Sequence, residues 1–161
     1  MSKEFQMPAL LFTFAMNAID TGSARYPVSI GVAGSSNQLR HYLIAPEADW
    51  QGWDMVAGDL MGISPQDLQA LGMSANQVCR ELNQVFDGQQ LLTDSQDHAE
   101  MINQVFDAAG LKMTFSAKHL EDVIGQGRAQ DVVSSMALVE RSYRADRDAL
   151  VLREAIVLQL T

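Results

Sequence analysis

The sequence predicts an α/β fold: a mixed five-stranded sheet, made of an antiparallel three-strand meander plus two parallel strands, with helices on both faces. Three observations carry this. Three strand-like runs follow one another up to Ile44, with polar turns between them. From Ser74 onward, helical stripes alternate with short apolar runs. The chain has 161 residues, of which 47% are apolar, enough for one core, and no linker, repeat or low-complexity tract interrupts it, so residues 1–161 read as a single domain.

The first strand is the run Ala9 to Met16, apolar on both alternating faces and therefore expected in the middle of the sheet. A polar loop from Asp20 to Arg25 leads through Tyr26-Pro27 to a second strand, Val28 to Ala33. Gly34-Ser35-Ser36-Asn37 supplies turn chemistry before a third run, Leu39 to Ile44. Ser74 followed by Gln77 is a capping-box pattern opening a helix with Val78, Leu82, Val85 and Phe86 on one face, ended by Asp87-Gly88. Gln90 to Thr93 reads as a buried parallel strand, and Met101, Ile102, Val105, Phe106 and Ala109 stripe the next helix, closed by Gly110. Lys112 to Ser116 is expected to be the fifth strand. The remainder is helix-rich, with a last stripe at Ala145, Ala149, Leu152, Ile156 and Leu160.

Eleven Lys and Arg against 20 Asp and Glu give a formal charge of -9, so the whole molecule repels phosphate backbones and any nucleic-acid contact needs a local patch. A single cysteine, Cys79, rules out an internal disulfide framework and a Cys-rich metal site. The apolar stretch Leu10 to Met16 is far shorter than the roughly 20 residues of a membrane span, and the N-terminus lacks a secretory pattern; the expectation is a cytoplasmic protein without membrane attachment.

Four segments, in order, resemble one family. They are Ser23 to Ala33, with Tyr26-Pro27 and Ile30-Gly31; Tyr42 to Pro46 followed by Leu60-Met61-Gly62-Ile63-Ser64; Leu92-Thr93-Asp94 with Asn103 to Gly110; and Tyr143-Arg144-Ala145-Asp146-Arg147-Asp148-Ala149-Leu150. Together they resemble the ribonuclease H-like 3′-5′ exonucleases of the DEDDh type, the group that includes the proofreading epsilon subunit of bacterial DNA polymerase III. The likeness covers most of the chain and implies a ribonuclease H-like fold. Chemistry in that family is two-metal phosphodiester hydrolysis, in which carboxylates hold two divalent ions about 4 Å apart. It draws them from a first-strand Asp-x-Glu, a helix Asp, and a final Asp preceded by a His or Tyr that handles the water.

Here the pattern departs from the family. Eleven residues before Tyr26 stands Ala15, so Ala15-Met16-Asn17 falls on the Asp-x-Glu, offering no ligand and one neutral one. His98 falls on the helix carboxylate with Asp97 beside it, Tyr143 falls on the histidine, and only Asp148 keeps its identity as a candidate metal ligand. A second register puts Ala18-Ile19-Asp20 on the motif and restores one carboxylate. The resemblance thus implies a degenerate site (Ala15, Asn17, His98, Tyr143, Asp148) with little or no nuclease activity and no cofactor.

Two functions follow. The first is a catalytically degenerate exonuclease-like binding or scaffold module, taking a protein partner, a second copy of itself, or weakly the end of a single-stranded nucleic acid. The alternative is an active Mg²⁺- or Mn²⁺-dependent 3′-5′ exonuclease whose carboxylate site is rebuilt from Asp20, Asp94, Asp97 and Asp148. Plainer readings stand beside both: Asp148 as one charge in the run Arg144 to Asp148, His98 as a surface histidine of a first helical turn, Tyr143 as a packing residue, and Trp50 and Trp53 as packing for a loop instead of a base-stacking platform. The arginines at 141, 144, 147 and 153 form either a phosphate-facing stripe or a salt-bridge network with the interleaved acids. An accessory domain would use Trp50 to Met73, with Met55, Met61 and Met73, as its interface.

Overall fold

The computed structural model describes residues 10–35, 38–140 and 142–161. Strand β1 (Phe12–Asp20) lies at the centre of the sheet, with β2 (Arg25–Ala33) and β3 (Leu39–Leu43) antiparallel on one side. Two short helices follow, α1 (Met55–Met61) and α2 (Pro65–Leu71), then α3 (Ala75–Phe86). Strand β4 (Gln90–Thr93) pairs parallel with β1, α4 (Gln96–Ala109) follows, and β5 (Ser116–His119) pairs parallel with β4 at the edge. The chain ends in α5 (Leu120–Ile124), α6 (Gln126–Met136) and α7 (Ala145–Leu160). Sheet order is β3-β2-β1-β4-β5, the expected meander plus two parallel strands.

Alternation along the strands splits the core between the two faces. Phe14, Met16, Ile30, Val32 and Leu91 pack under α3 and α4, while Leu11 and Leu92 pack under α5, α6 and α7. Helix α7 sits so close to the meander that a Cβ on Gly31 would lie 2.0 Å from the Asp146 backbone nitrogen. The Gly in Ile30-Gly31 is therefore what lets the helix touch β2. A third cluster, Ile19, Tyr26, Val28 and Leu68 with Trp50 and Trp53, fastens α1 and α2 over the far end of β1.

The capping box at Ser74 and Gln77 forms, and Gly110 closes α4 in the left-handed region at φ 68°. Elsewhere the structure departs from what the sequence predicts. The first strand starts at Phe12 and runs on to Asp20, Ala9 lying outside the described residues, as do Ser36, Asn37 and Arg141. The fifth strand is not Lys112 to Ser116: Asn83 holds the Lys112 carbonyl and the Thr114 amide in a loop, and pairing begins only where Ser116 meets Gln90. Val85 is exposed, and buried Cys79 takes its place in the α3 stripe. Helices α1 and α2 replace the expected loop; they are capped by Asp54 and by a Ser64/Asp67 capping box with Pro65 at the first turn.

Candidate functional site

Strands β1 and β4 pair only at Phe12–Leu91 and Thr13–Leu92, after which they diverge. Beyond that fork the β4-facing amides of β1 need other partners. Helix α4 supplies one: Ser95 caps its start, which places His98 where its Nδ1 accepts from the Met16 backbone N–H at 3.2 Å. A ring nitrogen that accepts has no hydrogen, so the proton of the neutral imidazole sits on Nε2. His98 is thus half-buried and tied to β1, neither a plain surface histidine nor an imidazole offering a lone pair from Nε2.

The opening left by the fork is a cleft of about 510 Å³, lined by Asn17, Asp20, Arg25, Asp97, His98 and Tyr143 among polar residues and by Met16, Leu60, Met61 and Met101 among apolar ones. Asn17 lies on the α7 side of β1, nearly buried, and its Nδ2 donates to the Tyr143 carbonyl at 2.9 Å. Among the described residues Tyr143 is the one non-glycine with positive φ, 58°. Asp97 is ion-paired with Arg25 at 3.3 Å, and Asp20 accepts from the Gly22 amide at 2.9 Å within its own turn.

Other expected site residues stay out of the cleft. Ala15 is packed against Ala33 and Ala149 beneath α7, so the first motif position is core and not cleft wall. Asp148 does not line the cleft; its Oδ1 accepts from Ser142 Oγ at 2.8 Å. Asp94 is likewise outside it, its backbone oxygen facing His119 Nε2 at 3.2 Å. The proposed rebuilt set therefore contributes two members, Asp20 and Asp97, to the cleft and leaves two elsewhere. Among the described residues no three His, Cys, Asp or Glu side chains come together as a metal-holding group. Two hard divalent ions want several converging anionic oxygens, and an Asn17 amide that donates to a carbonyl, a Met16-bound His98 and an Arg-paired Asp97 do not fit them.

A smaller cavity of about 240 Å³ adjoins across Asn17 and Tyr143, lined also by His41 and Arg144. His41 Nε2 is buried without a hydrogen bond, and burial holds its pKa below 6.5; Asp146 opposes that shift and Arg144 adds to it. Arg144 itself grips Asp146 through two bonds of 3.2 Å, and Arg153 donates to the Leu11 carbonyl at 3.0 Å. Arg144 is thus tied to an acid although its side chain is 53% exposed, and Arg153 to a backbone carbonyl, which favours the bonded network over a phosphate-facing stripe. Trp50 stacks on Tyr26 with ring centres 5.9 Å apart, the packing role expected of it. Sequence reasoning missed Arg25 as the partner of Asp97, because 72 positions separate them and nothing local marks the pair. Leu60 was missed with α1; the Ser64-Pro65 start of the next helix was the available signal.

No family model matches the chain, and no curated protein matches it in sequence. Solved structures do. The structure reported to suggest how exonuclease I achieves processivity matches with a TM-score of 0.69 at 14% identity, over 94% of this chain and 41% of that one. A zinc-bound E. coli exonuclease I–ssDNA complex matches with 0.67 at 14%, over 96% and 40%. E. coli exonuclease I with a dA16 oligonucleotide matches with 0.68 at 13%, over 94% and 41%. These likenesses show a ribonuclease H-like fold shared with part of exonuclease I, of which this chain spans about two fifths of the length.

Proposed function

We propose that the chain is a single exonuclease-like domain, of the epsilon-related DEDDh type, that has exchanged hydrolysis for binding. The Asn17–Tyr143 hydrogen bond carries the reading. A carboxylate at that position would hold a metal; an amide that donates to a carbonyl instead stitches the meander to the start of α7. The Met16–His98 bond supports it in the same way, because the position of the family's helix carboxylate is occupied by a group bound to backbone. Charge agrees: Asp20 and Asp97 face one arginine, so the cleft holds no surplus of positive charge for a phosphate. No divalent ion and no cofactor is needed for this role.

Two measurements test it together: calorimetric titration with Mn²⁺ and Mg²⁺, and incubation of 3′-labelled single-stranded DNA and RNA with wild type and Asp148→Ala. The expected outcome is no saturable heat at millimolar metal and intact strands throughout. Metal-dependent shortening that disappears in Asp148→Ala would overturn the proposal and establish a rebuilt active site.

A further inference from the structure

Helix α1 presents Met55, Val56 and Leu60 to solvent, 73%, 70% and 52% exposed, while its inner side, Ala57 and Met61, packs toward Trp53 and Leu68. Three large apolar side chains on a seven-residue helix form an apolar face that water does not favour. Leu60 also lines the cleft, so the outer face of α1 runs into the cleft wall, which carries Met16, Met61 and Met101. Unbranched methionines adapt to differently shaped apolar partners.

The surroundings are acidic apart from Arg25, which is already ion-paired with Asp97. Between Arg40 and Arg80 the chain has five carboxylates, Glu47, Asp49, Asp54, Asp59 and Asp67, and no Lys or Arg. Asp59 is on α1 itself, and Asp20 and Asp97 line the cleft beside it. A second copy, with its own formal charge of -9, would bring like charge to this face, and so would a phosphate backbone.

We infer that the outer face of α1 and the cleft it walls form a docking surface for a basic, amphipathic helical segment of a protein partner. Its apolar residues cover Val56 and Leu60 and enter the cleft, and its Lys and Arg residues meet Asp59 and Asp20. This rests on the cleft being a binding and not a hydrolytic site.

The test is fluorescence anisotropy of the full chain with a labelled synthetic Leu/Lys peptide of about 18 residues patterned as an amphipathic helix. Controls are the same composition scrambled to remove the apolar face, and a Leu/Glu counterpart. Saturable, salt-sensitive binding of the patterned Leu/Lys peptide alone is expected, roughly tenfold weaker for Val56→Ser/Leu60→Ser and for Asp59→Lys. Both variants change exposed side chains, and circular dichroism checks that they fold. Equal binding of the scrambled peptide, or undiminished binding by both variants, would overturn the inference. So would self-association in sedimentation that Val56→Ser/Leu60→Ser abolishes, which would assign the face to a second copy. Metal-dependent strand shortening accompanied by normal peptide binding would sink the proposed function while leaving this surface standing, so the two failures are separately visible.

Discussion

Asn17 and Tyr143 stand 126 positions apart in sequence, yet the side-chain amide of the first donates to the backbone carbonyl of the second at 2.9 Å. The bond holds a tyrosine backbone at φ 58°, a region that costs a non-glycine residue about 1 kcal/mol or more and persists only where neighbours enforce it.

Asn17→Asp removes the donor and sets a carboxylate against the carbonyl of Tyr143 in a nearly buried position. The expected loss is about 2 kcal/mol of unfolding free energy, read from urea denaturation, and Mn²⁺ does not restore it. A variant as stable as wild type, or one rescued by Mn²⁺, would mean that the amide is a displaced ligand and not a tie.

Gly31→Ala tests the docking of α7. The nearest atoms to the added methyl are the Asp146 nitrogen at 2.0 Å and the Ala145 carbonyl carbon at 2.1 Å. Both are backbone and cannot rotate away, so the start of α7 has to lift off β2. A destabilisation of about 3 kcal/mol is expected. Ala at this position without loss in thermal or urea unfolding would show that α7 slides freely over the meander.

Local patterns made much of this fold legible: the buried period of β1, the Ser74 capping box and the Gly110 stop each depend on residues within one turn or one strand. Where pairing or sequence-distant contact decides, the sequence is silent. Ser116 to His119 has no strand-like composition and becomes β5 because Gln90 to Thr93 offers it an edge. Of the site, Asn17, Asp20, Asp97, His98 and Tyr143 were named from motif position and do line one cleft. What they do there was not legible, because Met16–His98 and Arg25–Asp97 are contacts between separate elements. Ala15 shows the limit of counting, since a motif position says nothing about whether a helix covers it.

Cys79 is buried in the core between the sheet and α3, and desolvation pushes its thiol from 9.0 up to about 12. The thiolate is the reactive form, so the native protein should leave a disulfide reagent unreacted at pH 8 and consume one equivalent after unfolding in urea. Above pH 9 the unfolded chain releases this proton while the native state keeps it, so stability falls as pH rises. Tyr26 and Tyr42, whose phenols burial also raises above 10.0, add to the same decline. Rapid labelling of the native protein would show that α3 opens from the sheet.

His41 provides the acid-side prediction. Its folded pKa lies below the unfolded 6.5, chiefly through burial, so as pH falls through 6.5 the unfolded chain takes up a proton that the native state resists. Stability from this group is complete above 6.5 and is lost as pH falls toward the lowered folded value. Asp146, gripped by Arg144, gives back part of the loss by favouring the imidazolium, and Arg144 works against that. His41→Leu removes both the titration and a buried ring nitrogen that has no partner. Its stability relative to wild type should therefore increase steadily between pH 7 and pH 5 in urea unfolding. A constant difference over that range would mean that water enters the 240 Å³ cavity beside Asn17 and solvates the ring in the native state.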